Sequence, residues 1–305
     1  MTPRNIHRLG TEQRNRSSRH LDLRSAAEIA RIINREDRKV AAVVNHAIPQ
    51  MAQGIEAIAK AIAAGGRLIY VGAGTSGRLA ALDAAECAPT FNLDPAIVQY
   101  VMAGGDKALG HPAEYSEDSR EAGRRDLAKR RPGKRDVVIG IAARGSTPYT
   151  VAALQLARKR GAYTIAVTCN YDTPLARAAD ITIVAAVGPE VVTGSTRMKA
   201  GTAQKLILNT LTTGAMTRLG YVFDNLMVNV TPKNEKLTER AIGILQMMAK
   251  IPRAQAIRAL KAAGKSVPVA LVMLLGKAAR PQAEKLLRSA HGNVRQAVEA
   301  ALDSR

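Results

Sequence analysis

Five short apolar runs, at 68–71, 97–102, 137–141, 163–167 and 181–185, alternate with stretches of helical spacing near 76–86, 116–129, 147–160 and 175–178. Each run is strand length and almost unbroken in hydrophobicity, so it has no face to give to water and needs cover on both sides. This alternation predicts an α/β three-layer sandwich: a parallel five-stranded sheet between helices, joined by right-handed crossovers. It also predicts that ligands meet the carboxyl ends of the strands. A longer helical stretch follows near 195–219. Ahead of the first run, 21–63 reads as three helices. Ser25-Ala-Ala-Glu28 is a capping-box pattern opening the first; the second ends near Pro49, and the third covers 51–63. Past Pro232 only helical patterns remain, at 235–248, 253–262, 267–275, 281–289 and 294–302. The expected organisation is an N-terminal helical segment (1–50), an α/β domain (51–231) and a small all-α C-terminal domain (232–305).

A length of 305 residues accommodates that plan with ample core. No apolar run approaches the roughly 18 residues needed to span a bilayer. The basic residues Arg4, His7 and Arg8 have no apolar segment behind them. Neither a membrane partner nor a secretory leader is expected. The two cysteines, Cys87 and Cys169, lack metal-ligand spacing, which predicts free thiols in a reducing cytoplasm and no metal site. Cys87 reads as a packing residue and His111 as a loop histidine. The net charge of +20 is densest over 124–135, but aromatic residues are 3% of the chain and tryptophan is absent. Stacking surfaces are therefore scarce, and the basic stretch reads as a solvated face that draws in anionic small molecules rather than a nucleic-acid site.

Three loops at one predicted sheet edge share a chemistry. The first, Gly72-Ala-Gly-Thr-Ser-Gly77, turns from a strand into a helix start, where free backbone N–H groups and the positive end of the helix dipole favour an anion. Gly74, Thr75 and Ser76 are the candidate ligand contacts. The loop also fits the G-x-G-x-x-G dinucleotide fingerprint. The acid expected after the second strand comes late, however, in Ala103-Gly-Gly-Asp106, and hydroxyls inside the loop suit a terminal phosphate better. The second loop, Gly140-Ile-Ala-Ala-Arg-Gly-Ser-Thr-Pro148, supplies Arg144, Ser146 and Thr147, with Pro148 suited to a first helical turn. The third, within 188–201, supplies Ser195 and Thr196 beside Arg197 and Lys199. Together they predict a site for a phosphate-bearing small molecule.

Longer motifs carry a resemblance. Gly72-Ala-Gly-Thr-Ser-Gly-Arg78, Asp83-Ala-Ala-Glu-Cys-Ala-Pro-Thr90, Glu117-Asp-Ser-Arg-Glu121, Gly188-Pro-Glu-Val-Val-Thr-Gly-Ser-Thr-Arg-Met-Lys-Ala-Gly-Thr-Ala-Gln-Lys205 and Asn234-Glu-Lys-Leu237 resemble the N-acetylmuramic acid 6-phosphate etherases. So do Thr11-Glu-Gln-Arg-Asn15 and Ile33-Asn-Arg-Glu-Asp37. The resemblance implies a phosphosugar-isomerase-like core and a ubiquitin-associated-like helical tail. It implies loss of D-lactate from C3 of the sugar by elimination, then addition of water, in cell-wall amino-sugar recycling, with no cofactor. The open-chain aldehyde acidifies C2–H, so two carboxylates serve as acid and base.

The family's catalytic acids fall on Glu86 and Glu117. Glu86 is assigned to protonating the leaving lactate and activating water, and Glu117 to taking the C2 proton; the reverse division satisfies the same chemistry. Lys236 and Asn234 are candidates to reach the substrate from the start of the tail, the alternative being a helix cap with a surface lysine. One departure stands out: Arg144 and Ser146 exchange the places of serine and arginine in the family's second loop.

Glu86 lies ten residues beyond Ser76, about 15 Å along an unbroken helix. Either the helix ends early or Glu86 serves the phosphate of a partner subunit, which predicts a homodimer with shared sites. A non-catalytic sugar-phosphate sensor and a ketose–aldose isomerase are the other readings; a sensor would have no need of both glutamates.

Overall fold

The five apolar runs form strands β1 (Leu68–Gly72), β2 (Val98–Met102), β3 (Val137–Ile141), β4 (Tyr163–Thr168) and β5 (Ile181–Val184). In the computed structural model, which describes residues 9–112, 114–230, 232 and 234–304, they make one parallel sheet in the order β2-β1-β3-β4-β5. Every residue of β1 and β3 is buried, as strands covered on both faces must be. The strands end level, with Gly72 opposite both Met102 and Ile141. The chain leaves β1 toward β2 on one side and returns to β3 on the other, so the loops after β1 and β3 diverge around a crevice at the carboxyl edge. This is the topological switch point at which open α/β sheets hold ligands.

Helices α1 (Ala26–Asp37), α2 (Lys39–Asn45) and α3 (Ile48–Ala63) precede β1. Next, α4 (Gly74–Phe91), α5 (Arg120–Lys129), α6 (Pro148–Lys159) and α7 (Pro174–Arg177) follow β1 to β4 in turn, and α8 (Lys199–Arg218) follows β5. Side chains alternate across the sheet. Ile69, Val71 and Val138 pack with Leu127 of α5, Tyr149 and Leu154 of α6, and Leu175 of α7. Tyr70 points the other way and donates to Asp83 of α4 at 2.7 Å. Asp83, itself buried, also accepts from Asn209 Nδ2 (2.6 Å) and Thr212 Oγ1 (3.3 Å) of α8. On this face α3 approaches so closely that a Cβ on Gly54 would stand 2.9 Å from Leu211 of α8. The result is three layers, with α5 to α7 on one face and α3, α4 and α8 on the other.

Several boundaries differ from the sequence reading. The capping box at Ser25 and Glu28 forms, but Pro49 opens α3 instead of closing α2, because a proline at the first turn forfeits no hydrogen bond. Helix α5 begins at Arg120, capped by the Ser119 hydroxyl, which leaves Glu117 in a turn and not on a helix. Helix α8 begins at Lys199, because the buried Glu190 carboxylate accepts from the Lys199 and Ala200 N–H groups at 3.0 and 2.9 Å. That leaves Ser195 and Thr196 in the preceding turn.

Two compact units are distinguishable: one holds the chain up to Ala84 with Ala96–Thr212, the other Ala85–Pro95 with the chain from Thr213. In the second, β6 (Val222–Phe223) pairs antiparallel with β7 (Leu226–Met227). Helices α9 (Glu235–Ala249), α10 (Arg253–Ala262), α11 (Val267–Leu275), α12 (Arg280–Ser289) and α13 (Val294–Asp303) enclose a core of Leu245, Leu260, Leu271, Leu287 and Val298 that also takes in Phe223 and Val228. No helix among the described residues is long and apolar enough to cross a membrane.

Candidate active site

At the switch point lies a cleft of about 330 Å³ walled by Gly74, Thr75, Ser76 and Arg78 from the start of α4, by Ala143, Arg144 and Thr147 after β3, by Thr196 before α8, and by Glu117. Gly74 has φ of +52°, and a Cβ there would stand 2.8 Å from Glu117 Oε1, so the carboxylate rests directly over the first turn of α4. Contacts on either side of Glu117 help to hold it in that place. Its carbonyl accepts from Tyr149 N–H at 3.0 Å, an otherwise unpaired donor of the α6 first turn. Arg78 donates to the carbonyls of Leu109 (3.0 Å) and His111 (3.1 Å), tying down the segment that leads to Glu117.

The second loop bends at Gly145, whose φ is +69° and whose Cβ would fall 2.4 Å from Thr173 Oγ1. Only glycine fits there. Thr147 occupies the N-cap of α6 without a side-chain capping bond and lines the cleft. Arg144 is half exposed and its Nε lies 3.6 Å from Glu12 Oε1. Asn170 Nδ2 donates to Thr11 Oγ1 and to the Ala143 carbonyl, both at 3.1 Å, so the N-terminal motif braces this loop.

The third loop is braced from below. Lys199, 2% exposed at its side chain, pairs with Glu36 of α1 at 2.8 Å, and Glu36 is 3% exposed. Glu36 also accepts from Asn15 (3.0 Å) and pairs with Lys39, and Asn15 reaches the Pro189 carbonyl at 3.1 Å. Burial opposes ionisation of Glu36, but hydrogen bonds from Lys199, Lys39 and Asn15 outweigh it and hold the carboxyl down at about 2. Lys199 is therefore not a cation for ligand; its charge is spent inside.

Of the candidates read from sequence, the cleft brings together Gly74, Thr75, Ser76, Glu117, Arg144, Thr147 and Thr196. Ser146 and Ser195 lie on the same loops outside its walls. Glu86 and Lys236 belong to the second unit and are exposed. Helix α4 runs unbroken through Glu86, so the helix does not end early. Asn234 caps α9, its side chain accepting from Leu237 N–H at 2.9 Å, and Lys236 lies in the first turn behind it. Cys87 and Cys169 are buried, and burial pushes the Cys169 thiol up to about 12. Among the described residues no cluster of histidine, cysteine, aspartate and glutamate suits a metal.

A relative from Actinobacillus pleuropneumoniae serotype 5b (strain L20), named N-acetylmuramic acid 6-phosphate etherase, is 46% identical over 293 residues, 96% of each chain. One of the same name from Symbiobacterium thermophilum is 53% identical over 271 residues, 88% of this chain and 90% of its own. The chain belongs to the N-acetylmuramic acid 6-phosphate etherase family. Two family models agree with the core: the glucokinase regulatory protein N-terminal SIS domain matches 50–158, and the SIS domain matches 116–214. A phosphoheptose isomerase from Francisella tularensis has the same fold, with a TM-score of 0.52 at 17% identity over 64% of this chain and all of its own.

For an enzyme of the etherase family, the cleft supplies what anion capture and proton transfer need. Backbone N–H groups and hydroxyls at three loops can hold a phosphate, and one carboxylate stands beside them. Sequence reasoning did not find the Asn15–Glu36–Lys199 network, the brace at Asn170 or the ties of Arg78 to the Leu109 and His111 carbonyls. Asn15, Glu36, Arg78 and Lys199 sit in motifs that the etherase resemblance groups together, with nothing in the chain to pair them, and Asn170 lies in none of those motifs.

Proposed function

We propose that the chain is a carbon–oxygen lyase that removes D-lactate from C3 of N-acetylmuramic acid 6-phosphate and, after water adds, leaves N-acetylglucosamine 6-phosphate. The observation that carries this reading is the Glu117 carboxylate over Gly74, in one cleft with three hydroxyl-bearing loops. The phosphate lies against Gly74, Thr75, Ser76, Thr147 and Thr196, with Arg144 adding charge. Ser146 and Ser195 complete the contacts at the margin. Glu117 takes the C2 proton from the open-chain sugar; the C3–O bond breaks with the new C2–C3 double bond, and Glu86 protonates the departing lactate oxygen. The same two groups then direct water to C3 and return a proton to C2.

Because Glu86 lies about 15 Å along α4 from Ser76, it acts in the cleft of a second subunit, which makes the working form a homodimer. A protein that only sensed the sugar phosphate would gain nothing from a carboxylate over its phosphate loop, since like charge weakens anion binding. We place the reaction in the cytoplasm and assign 51–231 to phosphosugar binding, 1–50 to bracing it, and 232–305 to a ubiquitin-associated-like tail. Its partners are the sugar phosphate and a second copy, with no nucleic acid and no membrane.

The test is incubation with N-acetylmuramic acid 6-phosphate and an assay for lactate. Folded protein that releases none refutes the reading. Glu117→Gln is expected to bind substrate, to lose about 10²–10⁴-fold in turnover, and to lose exchange of the C2 proton with deuterated solvent; unchanged exchange removes Glu117 as the base.

A further inference from the structure

Ser76 lines the cleft, yet its hydroxyl is already engaged: it donates to Gln204 Oε1 at 3.0 Å. A hydroxyl has one proton. With that proton given to Gln204, the Ser76 hydroxyl offers an incoming anion only lone pairs, which repel it. The other end of the same amide is unsatisfied. Gln204 is 1% exposed, and its Nε2 is buried with no hydrogen-bond partner. Gln204 sits in the second turn of α8, and the first turn of that helix backs the same loop: a Cβ on Gly201 would stand 3.5 Å from Thr75 Cγ2.

A half-turn of the Gln204 amide exchanges its two ends. Nε2 then donates to the Ser76 oxygen, and the hydroxyl proton is released toward the cleft. The unbonded position now holds a carbonyl oxygen, which tolerates a missing donor better than a buried N–H tolerates a missing acceptor. An anion in the cleft interacts favourably with this second arrangement alone, and so selects it. Each hydrogen bond in the chain from Nε2 through Ser76 to the anion polarises the next.

We infer that Gln204 is a positioning residue that sets the direction of the Ser76 hydroxyl and turns it into a donor for the substrate's phosphate. The inference rests on reading the cleft as a phosphosugar site. It assigns Gln204 no contact with the substrate. Its whole effect passes through Ser76.

The experiment is a double-mutant cycle of Gln204→Met and Ser76→Ala. Methionine is close to glutamine in length and can neither donate nor accept at the amide position. Two quantities are read: KM and kcat for N-acetylmuramic acid 6-phosphate, and the Kd of inorganic phosphate from the shift in Tm, which needs no turnover. Gln204→Met is expected to raise KM and the phosphate Kd about tenfold while kcat changes less than about twofold, the pattern of lost uniform binding. In the Ser76→Ala background the same substitution is expected to raise neither further. A penalty that persists undiminished without the Ser76 hydroxyl overturns the inference, as does an unchanged phosphate Kd in Gln204→Met. If Gln204→Met does not fold, Gln204→Leu replaces it in the same cycle. Wild-type protein that binds phosphate but releases no lactate refutes the functional reading instead, and leaves the phosphate arm to decide the role of Gln204.

Discussion

Glu36 and Lys199 are 163 positions apart and form an almost fully buried ion pair beneath the third cleft loop. Removing one partner of such a pair strands the other charge in the interior. Glu36→Gln is therefore expected to destabilise the protein by about 3–5 kcal/mol, measured by denaturant unfolding at neutral pH. The pH dependence has a definite sign. The folded-state value of Glu36 is depressed to about 2 from its ordinary 4.5, so its contribution is present above pH 4.5 and is lost as pH falls toward 2. The stability gap between wild type and Glu36→Gln should narrow over that window; a gap that stays constant to pH 2 removes the ion pair as its source. Neither residue advertises this role in the sequence. A buried lysine and an exposed one look alike until the partner is known, and lysine in a polar loop reads most simply as a cation facing solvent.

Helix α4 shows what one element can and cannot announce. Its start was legible, because a strand running into Gly72-Ala-Gly-Thr-Ser-Gly77 has few ways to continue other than a turn into a helix. What the turn does was not legible. Gly74 is held at φ +52° with the Glu117 carboxylate in the space where a side chain would begin. Gly74→Ala is expected to cost about 1–2 kcal/mol for the left-handed backbone. It should also displace Glu117 by enough to lower turnover about 10²-fold. Comparing the loss of Tm with the loss of kcat separates the two effects; a fall in stability with full turnover refutes the placement of Glu117. Helix α5 teaches the converse. Its apparent start near 116 moved to Arg120, because the Ser119 hydroxyl caps the Ala122 N–H. Glu117 thereby sits on a turn, free of the helical direction that its neighbours suggest.

At the scale of the whole molecule the proposed reaction has to bring Glu86, ten residues along α4 from Ser76, to one sugar. The proposal meets this with a site shared between two copies. Mixed dimers of Glu86→Gln and Ser76→Ala chains are expected to regain activity, because one of their two clefts combines an intact Ser76 with an intact Glu86. Each variant alone should release lactate far more slowly than the mixture, and a mixture no better than its parents refutes sharing. The sheet itself was readable from the chain: strands buried on both faces must be apolar nearly throughout, and each leaves a short apolar run between helical stretches. The alternation of those runs with helices, the hydroxyls at three helix starts, and the two glutamates in their motifs are all local facts, set by which residues neighbour which. The order β2-β1-β3 is not local, and everything distinctive about the cleft depends on it. It sets the loops after β1 and β3 on either side of one crevice, lays Glu117 over Gly74, and leaves Ser76 facing Gln204 from 128 positions away. Short-range preferences carry no information about such meetings, because a hydroxyl, an amide or a carboxylate has the same intrinsic chemistry whichever partner packing delivers to it.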